Sequence, residues 1–280
     1  MKSLWRIKVV QLGFAWDFVM NAILALSALH LSHFRPSKPD FYVTHARQLH
    51  QNGLRVVNSM LLSVTDSNCE AVYIFTALTC IITLALPRDP SDILLVHETG
   101  VAEWLTMFRG TRSIIIDSEH VLHNGVLGPM FEAGRRRAAF RDVQTTSNTP
   151  EEEKLSELTD LISRNSVNTL DLQAYINAIG ELRKSFTVVY AQGFQAYDSA
   201  DVYIWLFLIA DEFLTKLQQR TQESLVIFSF YCVVLKRFEG AWWMNGLSSH
   251  LLNRIYTLLD EEHRTWIRWP IEETGWVYDC

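Results

Sequence analysis

The stretch that decides the fold runs from Glu223 to Pro270 and reads ESLVIFSFYCVVLKRFEGAWWMNGLSSHLLNRIYTLLDEEHRTWIRWP. It contains two apolar runs whose spacing is helical, joined by a short turn that carries Trp242 and Trp243. Apolar residues that recur at intervals of three and four predict amphipathic or buried helices. The stretch therefore predicts a helix, an aromatic turn and a second helix.

Composition places the chain among globular proteins with a large core. Its 280 residues are 49% hydrophobic and 12% aromatic, with nine Trp, and 25 basic against 31 acidic residues give a net charge of −6. An acidic chain gains little from counterion release on a phosphate backbone, so we expect no direct binding to nucleic acid. The one basic cluster, Arg135-Arg136-Arg137, is typical of a solvated edge.

Cysteine usage and hydropathy favour a reducing compartment and no membrane span. Cys69, Cys80, Cys232 and Cys280 show no CxxC spacing, which argues against a zinc site and a disulfide framework. The uncharged run Ala71–Leu86 is shorter than the ~20 residues that cross a bilayer, and such a run is typical of a core helix. We expect no metal and no cofactor.

Helical periodicity continues through most of the remaining chain. Phe14, Phe18, Ala22, Leu26 and Leu29 predict one face of a single helix. Pro39 is well placed to open the next helix, whose predicted buried face comprises Tyr42, Ala46, Leu49, Gly53, Val56 and Met60.

The middle of the chain is less regular. Gly110 is predicted to end a helix, and the interval 111–147 to form a loop with short helices. Ser113–Ile116 is the only candidate strand and is too isolated to build a sheet. The sequence thus predicts an all-α fold, a single domain over 1–280 with about nine to eleven helices.

Five segments carry a resemblance to a known family: Leu4–Ser32, Trp104 to Gly110, Leu225 to Tyr231, Trp242 to Gly246, and Trp266–Pro270. Together they resemble the ligand-binding domain of fungal zinc-cluster transcription factors, and the sterol-sensing branch is the closest match. The resemblance implies a helical bundle that encloses a hydrophobic pocket. No six-cysteine DNA-binding module precedes it in this sequence, so we expect a ligand-binding domain without a DNA-binding domain.

A second group with this appearance is the stand-alone fungal hetero-Diels–Alderases of tropolone sesquiterpenoid and meroterpenoid biosynthesis. That resemblance implies a pericyclase that joins an o-quinone methide, derived from a hydroxymethyl tropolone or phenol, to a humulene-type sesquiterpene alkene in the cytoplasm. The alternative is a sterol- or lipid-sensing regulatory domain, which would be nuclear. A third hypothesis is an interaction module that forms a homodimer.

A hydrophobic pocket suits cycloaddition. Holding two apolar partners in register can lower a barrier by up to roughly 7–11 kcal/mol. Exclusion of water protects a quinone methide, and a donor can stabilise a carbonyl oxygen that gains charge. The sequence contains none of the rival motifs GxGxxG, GxSxG, HExxH or DDxxD.

Three residues are candidate donors to such a substrate: Arg109, His30 and Tyr231. For Arg109 the alternative is a helix-capping role, and for His30, with His33 three residues on, a structural role at a helix C-terminus. The candidate substrate-binding residues are Phe18, Tyr73, Thr76, Cys80, Trp104, Phe228, Trp242, Trp243 and Met244. Core packing is the alternative for these. Tyr190, Gln192, Tyr197 and Asp198 could gate the pocket or donate to the ligand.

Overall fold

The computed structural model describes residues 2–35, 37–89, 93–97, 100–142, 149–165, 168–190 and 199–278. The all-α prediction is confirmed: apart from two short strands, the regular structure of these residues is helical. The chain divides into two compact units. The first comprises Met1–Pro87 and Glu103–Arg136, and the second comprises Arg88–Ala102 and Arg137–Cys280.

The first unit is built from seven helices, the last of which runs past its boundary. In chain order they are α1 (Val9–Ala15, continuous with a π-helical segment, Leu4–Lys8), α2 (Asp17–Phe34), α3 (Pro39–Met60), α4 (Cys69–Ala85), α5 (Glu103–Asp117), α6 (Glu119–Asn124) and α7 (Gly128–Asp142). Helix α3 opens at Pro39 as predicted. Its first residue needs no N–H partner, and proline fixes φ near the helical value.

Helix α4 is the core of the first unit, as its uncharged sequence predicts. It packs against α2 and α5, and side chains such as Val72, Ile74, Phe75 and Ile82 are fully buried. Helix α3 approaches it closely at Gly53. A Cβ there would lie 2.5 Å from a ring carbon of Phe75 and 3.2 Å from the carbonyl oxygen of Phe18. Only glycine lets these three helices meet at this distance.

The prediction of one helical face from Phe14 to Leu29 is wrong at its start. Phe18, Ala22 and Leu29 are buried, but Phe14 is 79% exposed. The chain leaves the helical conformation at Trp16, where φ is −132° and ψ is 104°. This break makes α1 a separate helix and turns Phe14 away from the buried face of α2.

The second unit has a two-stranded hairpin and eight helices among the described residues. Strands β1 (Val96–His97) and β2 (Gly100–Val101) pair antiparallel, with Val96 opposite Val101. The helices are α8 (Pro150–Asn165), α9 (Thr169–Tyr190), α10 (Ser199–Leu208), α11 (Asp211–Gln218), α12 (Gln222–Lys236), α13 (Leu247–Leu258), α14 (Glu261–Trp266) and α15 (Arg268–Thr274).

Helix α12 is the centre of the second unit. Every residue from Ser224 to Leu235 is buried, and α9, α11, α13, α14 and α15 pack around the helix. The predicted helix, turn and helix over Glu223–Pro270 are therefore present. The turn is a short 3₁₀ segment, Trp242–Met244, and Gly246, at φ +68°, adopts the left-handed conformation just before α13 begins.

The middle of the chain is more helical than its sequence predicts. Gly110 does not end a helix, because α5 continues to Asp117 and includes the candidate strand Ser113–Ile116. The described residues form fifteen α-helices, more than the nine to eleven predicted. The excess comes from short helices of six to eight residues such as α6, α11 and α14, which are too brief to show a clear apolar period.

We expect the substitution Gly53→Ala to destabilise the protein by about 1–2 kcal/mol, because overpacking against Phe75 outweighs the gain in helix propensity. The matched control is Gly110→Ala, where a Cβ would meet no atom within 4 Å. This control should be neutral or stabilise by up to ~1 kcal/mol. Denaturant unfolding of both variants measures the difference. An unchanged midpoint for Gly53→Ala would contradict the close packing of α3 on α4.

Candidate functional site

The residues singled out from the sequence fall in both units. Phe18, His30, Tyr73, Thr76, Cys80, Trp104 and Arg109 belong to the first unit, and Phe228, Tyr231, Trp242, Trp243 and Met244 to the second. Each group is described within its own unit.

The stripe on α4 combines two satisfied core residues with one accessible donor. Thr76 is buried and its Oγ1 donates to the carbonyl oxygen of Val72 at 3.0 Å. Burial raises the pKa of the Cys80 thiol far above its ordinary value, so this cysteine stays a neutral thiol. Tyr73 is half-buried, and burial raises the pKa of its phenol to about 12. Tyr73 is therefore the one residue of these three whose side chain is not fully buried.

An aromatic group surrounds Tyr73. Its ring centroid lies 4.9 Å from that of Phe131 on α7, and Phe131 lies 5.3 Å from His123 on α6. Glu70, one turn before Tyr73, accepts a hydrogen bond from the backbone N–H of Leu127 at 2.9 Å. This contact fixes the turn between α6 and α7 against α4, and so positions Phe131 beside Tyr73.

Phe18 and Trp104 belong to the core of the first unit. Phe18 packs edge-on against Phe75, with ring centroids 5.7 Å apart. Both Phe18 and Trp104 are buried. Their positions fit the core-packing alternative.

The two donors predicted in the first unit occupy different environments. His30 is exposed on α2, with its ring 4.6 Å from that of Phe34. Arg109 is half-buried on α5. The capping alternative for Arg109 is wrong, because α5 continues for eight residues beyond it.

Tyr231 is enclosed in the core of the second unit. It is fully buried, its hydroxyl donates to the carbonyl oxygen of Val202 at 2.9 Å, and its ring stacks on Trp205 with centroids 4.4 Å apart. The indole N–H of Trp205 in turn donates to the carbonyl oxygen of Ala178 at 3.0 Å. Burial raises the pKa of the Tyr231 phenol well above its ordinary value. Phe228 stacks beside this pair, so these rings join α12 to α9 and α10.

An arginine side chain holds the aromatic turn in place through two hydrogen bonds. The Arg88 guanidinium donates to the carbonyl oxygens of Trp243 at 3.4 Å and Asn245 at 3.0 Å. The rings of Trp242 and Trp243 are half-buried and meet edge-on at 5.7 Å, while Met244 is buried. The two tryptophans are thus partly accessible, and the methionine is part of the core.

Tyr190, predicted as a gating or donating residue, closes α9 in a polar cluster. Its hydroxyl donates to Glu273 Oε1 at 3.1 Å, and the Arg237 guanidinium lies 4.4 Å from its ring centroid. Burial raises the pKa of the Tyr190 phenol to about 12. Gln192, Tyr197 and Asp198 lie outside the described residues.

A buried polar pair on α3 and α4 was not predicted. His50 Nε2 lies 3.1 Å from Thr79 Oγ1, and the His50 ring stacks on Phe75. Burial lowers the pKa of His50 to about 4, so the imidazole is neutral near pH 7. The signal was present in the sequence: His50 follows Ala46 by four residues and precedes Gly53 by three, on the buried face.

The described residues were expected to hold no metal and no membrane span. No group of three or more His, Cys, Asp or Glu side chains there is arranged to hold a metal ion. By length and composition, one described helix, α2, could cross a membrane, and a third of its residues is buried inside the protein.

Comparison with known proteins gives matches to fungal transcription factors. Residues 2–131, a little under half of the chain, match the family model described as the fungal specific transcription factor domain. A Zn(2)-C6 fungal-type transcription factor of Gibberella zeae is 20% identical over 294 residues, covering 96% of this chain and 56% of that protein. The Zn(2)-C6 fungal-type transcription factor afumD of Aspergillus fumigatus is 28% identical over 128 residues, covering 44% of this chain and 32% of that protein.

The chain thus spans about half and about a third of the length of these two relatives. No solved structure matches it. The matches support the transcription-factor-like family that the sequence resembles, and neither relative has a name from the hetero-Diels–Alderase group.

We expect Tyr231→Phe to lower the free energy of unfolding by about 1–2 kcal/mol, because the buried hydrogen bond from this hydroxyl to the carbonyl oxygen of Val202 is lost. The matched control is Tyr278→Phe, since Tyr278 is 43% exposed. Its unfolding free energy should change by less than ~0.5 kcal/mol. If Tyr231→Phe unfolds at the wild-type denaturant midpoint, the role of this hydroxyl is not structural.

The His50 pair predicts a pH dependence of stability. The pKa of His50 is about 4 in the folded protein and 6.5 in the unfolded protein. The stabilisation that the neutral His50 side chain gives the folded protein is therefore complete above pH 6.5 and is lost as the pH falls towards 4. Because protonation is disfavoured only in the folded protein, the loss should reach about 3 kcal/mol by about pH 4.

The measurement compares wild type with His50→Gln, which can still bond to Thr79 but does not titrate. The unfolding free energy of wild type minus that of His50→Gln should fall by about 3 kcal/mol between about pH 7 and about pH 4. Parallel stability curves for the two proteins would show that His50 titrates normally in the folded state.

Proposed function

We propose that this chain is the ligand-responsive regulatory domain of a fungal zinc-cluster transcription factor, with a sterol or similar lipid as its ligand. The observation that carries the proposal is the similarity to the Gibberella zeae transcription factor over 96% of the chain. The alignment extends through both units rather than one short motif. This favours the regulatory alternative over the pericyclase.

The charge of the chain is consistent with a regulatory rather than a DNA-reading role. With a net charge of −6 the chain has little to gain from contact with phosphates. We therefore assign DNA recognition to a separate zinc-cluster module, of the kind that the names of the two relatives indicate for those proteins. Nuclear localisation follows from the same proposal.

A lipid with one hydroxyl group is the ligand class that the site residues favour. In the first unit, Tyr73 offers a neutral phenol beside the aromatic ring of Phe131. Sites for such ligands combine apolar and aromatic walls with a few polar groups that fix orientation. A sterol presents a rigid apolar body and a single hydroxyl, which matches this combination.

The pericyclase remains the second candidate. Cycloaddition would need a donor aimed at the substrate, but the Tyr231 hydroxyl already donates to Val202, and His30 is exposed on α2. Arg109 is half-buried on α5. The comparisons contain nothing that favours this hypothesis over the regulatory one.

The test is a transcription reporter in yeast. The full chain is fused to a heterologous DNA-binding domain, and reporter output is measured with sterol synthesis intact and inhibited. We expect output to change with sterol supply. Tyr73→Phe should shift the midpoint of the response by about 2–12-fold in sterol concentration, the value of one hydrogen bond, whereas Tyr278→Phe should leave it unchanged.

A sterol-independent reporter would contradict the regulatory proposal. A parallel incubation of the purified chain with a hydroxymethyl tropolone and a hydroxylated humulene tests the second candidate. A single enantiomeric adduct formed faster than in the protein-free control would support the pericyclase instead.

A further inference from the structure

The first two helices form an exposed surface that is both apolar and basic. Helix α1 packs on the Met20 and Ile23 side of α2, since a Cβ at Gly13 would lie 3.1 Å from each of these two side chains. The two helices also carry Ile7, Phe14, Leu24, Leu31 and Phe34 at their surface. All are exposed except Leu31, which is half-buried. We call the exposed and half-buried side chains of residues 2–35, 37 and 38 the α1–α2 face.

The outward residues of the α1–α2 face follow helical spacing. Ile7 and Phe14 are seven residues apart, and Leu24, Leu31 and Phe34 are separated by seven and three. Each set therefore lies along one side of its helix. Trp5 and Trp16, at the two ends of the first helical segment, are half-buried. Tryptophan at such positions is typical of groups that sit at a lipid headgroup boundary.

The charge of the α1–α2 face is opposite to that of the rest of the chain. It carries five basic side chains, Lys2, Arg6, Lys8, Arg35 and Lys38, and one acid, Asp17, so its net charge is +4. The rest of the chain therefore carries −10, which with +4 gives the total of −6. All five basic side chains are exposed, and none has an ion-pair partner among the described residues. Lys2, Arg6 and Lys8 lie at the start of the first helical segment, and Arg35 and Lys38 follow the last turn of α2.

We propose that the α1–α2 face docks in the plane of an anionic membrane surface. Exposed apolar residues flanked by lysine and arginine are what an interfacial helix uses: the apolar side chains enter the headgroup boundary and the cations meet lipid phosphates and carboxylates. This is docking on a bilayer, not a membrane span. It does not depend on a ligand inside the protein.

Other occupants fit the α1–α2 face less well. A symmetric homodimer through this surface would place +4 against +4, because an isologous contact pairs the same patch on both copies. Nucleic acid would match the charge, but it would leave Phe14, Leu24 and Phe34 without an apolar partner. An anionic bilayer satisfies both the charge and the apolar stripe.

The test is flotation of the full chain with sterol-free vesicles. We expect binding to vesicles of phosphatidylcholine with phosphatidylserine, little binding to phosphatidylcholine alone, and loss of binding in ~1 M salt, where the Debye length is about 3 Å. A triple variant, Lys2→Gln with Arg6→Gln and Lys8→Gln, should weaken partitioning by ~100-fold, about five-fold for each cation. Phe14→Ser should weaken it without changing the charge.

The matched control variants remove three positive charges, or one exposed apolar side chain, outside the α1–α2 face. The variant Arg135→Gln with Arg136→Gln and Arg268→Gln lowers the net charge equally, and Leu170→Ser removes an apolar side chain that is 81% exposed. Both controls should partition like wild type. Thermal unfolding and circular dichroism of every variant check that the fold is kept.

Three results would overturn the proposal. The first is equal loss of binding in the control triple variant, which would indicate attraction by overall charge. The second is no binding to anionic vesicles by a folded wild-type chain, with a homodimer that Phe14→Ser disrupts. The third is binding to DNA, without binding to vesicles, that the α1 triple variant abolishes.

Discussion

The second unit depends on the burial of one helix from all sides. Twelve consecutive residues of α12, Ser224–Leu235, are shielded from solvent, so any polar side chain there must find its partner inside the protein. Ser224 donates to the carbonyl oxygen of Thr221 at 2.8 Å, Ser229 to that of Val226 at 2.6 Å, and Tyr231 to that of Val202 at 2.9 Å. The polar side chains of the central helix thus have hydrogen-bond partners inside the protein. Because none of these groups needs water, other helices can surround α12.

This constraint explains where a ligand hydroxyl could be recognised. The polar groups on α12 are already paired with backbone carbonyl oxygens and are not available to a ligand without cost. Tyr73 on α4 differs, because it is half-buried and its phenol stays neutral.

The sequence predicted the helical class because its apolar residues recur at helical intervals and prolines mark helix starts, as at Pro39. It could not predict the break at Trp16, because no glycine or proline stands there and the apolar period continues across it. It wrongly ended a helix at Gly110. A single glycine costs about 1 kcal/mol in a helix, and the burial of Met107, Thr111 and Ile114 on α5 outweighs that cost.

The candidate site was harder to predict than the fold. Spacing places Tyr231 on a buried helix, but it does not show whether the hydroxyl faces a ligand or a carbonyl group, which depends on where α10 lies. His50 was missed because the predicted buried face of α3 included Val56, which is 40% exposed, in place of His50 and Val57. Its partner Thr79 is also 29 residues away on another helix. Side-chain partners distant in sequence are the information that periodicity lacks.

The claim that this chain holds an apolar small molecule is tested most directly by native mass spectrometry of the protein purified from a sterol-producing fungal host. The account predicts a single lipid or sterol adduct in one-to-one ratio with the chain, released on unfolding and restored when sterol is added back. A folded protein that has the mass of the bare chain and takes up no added sterol would contradict it.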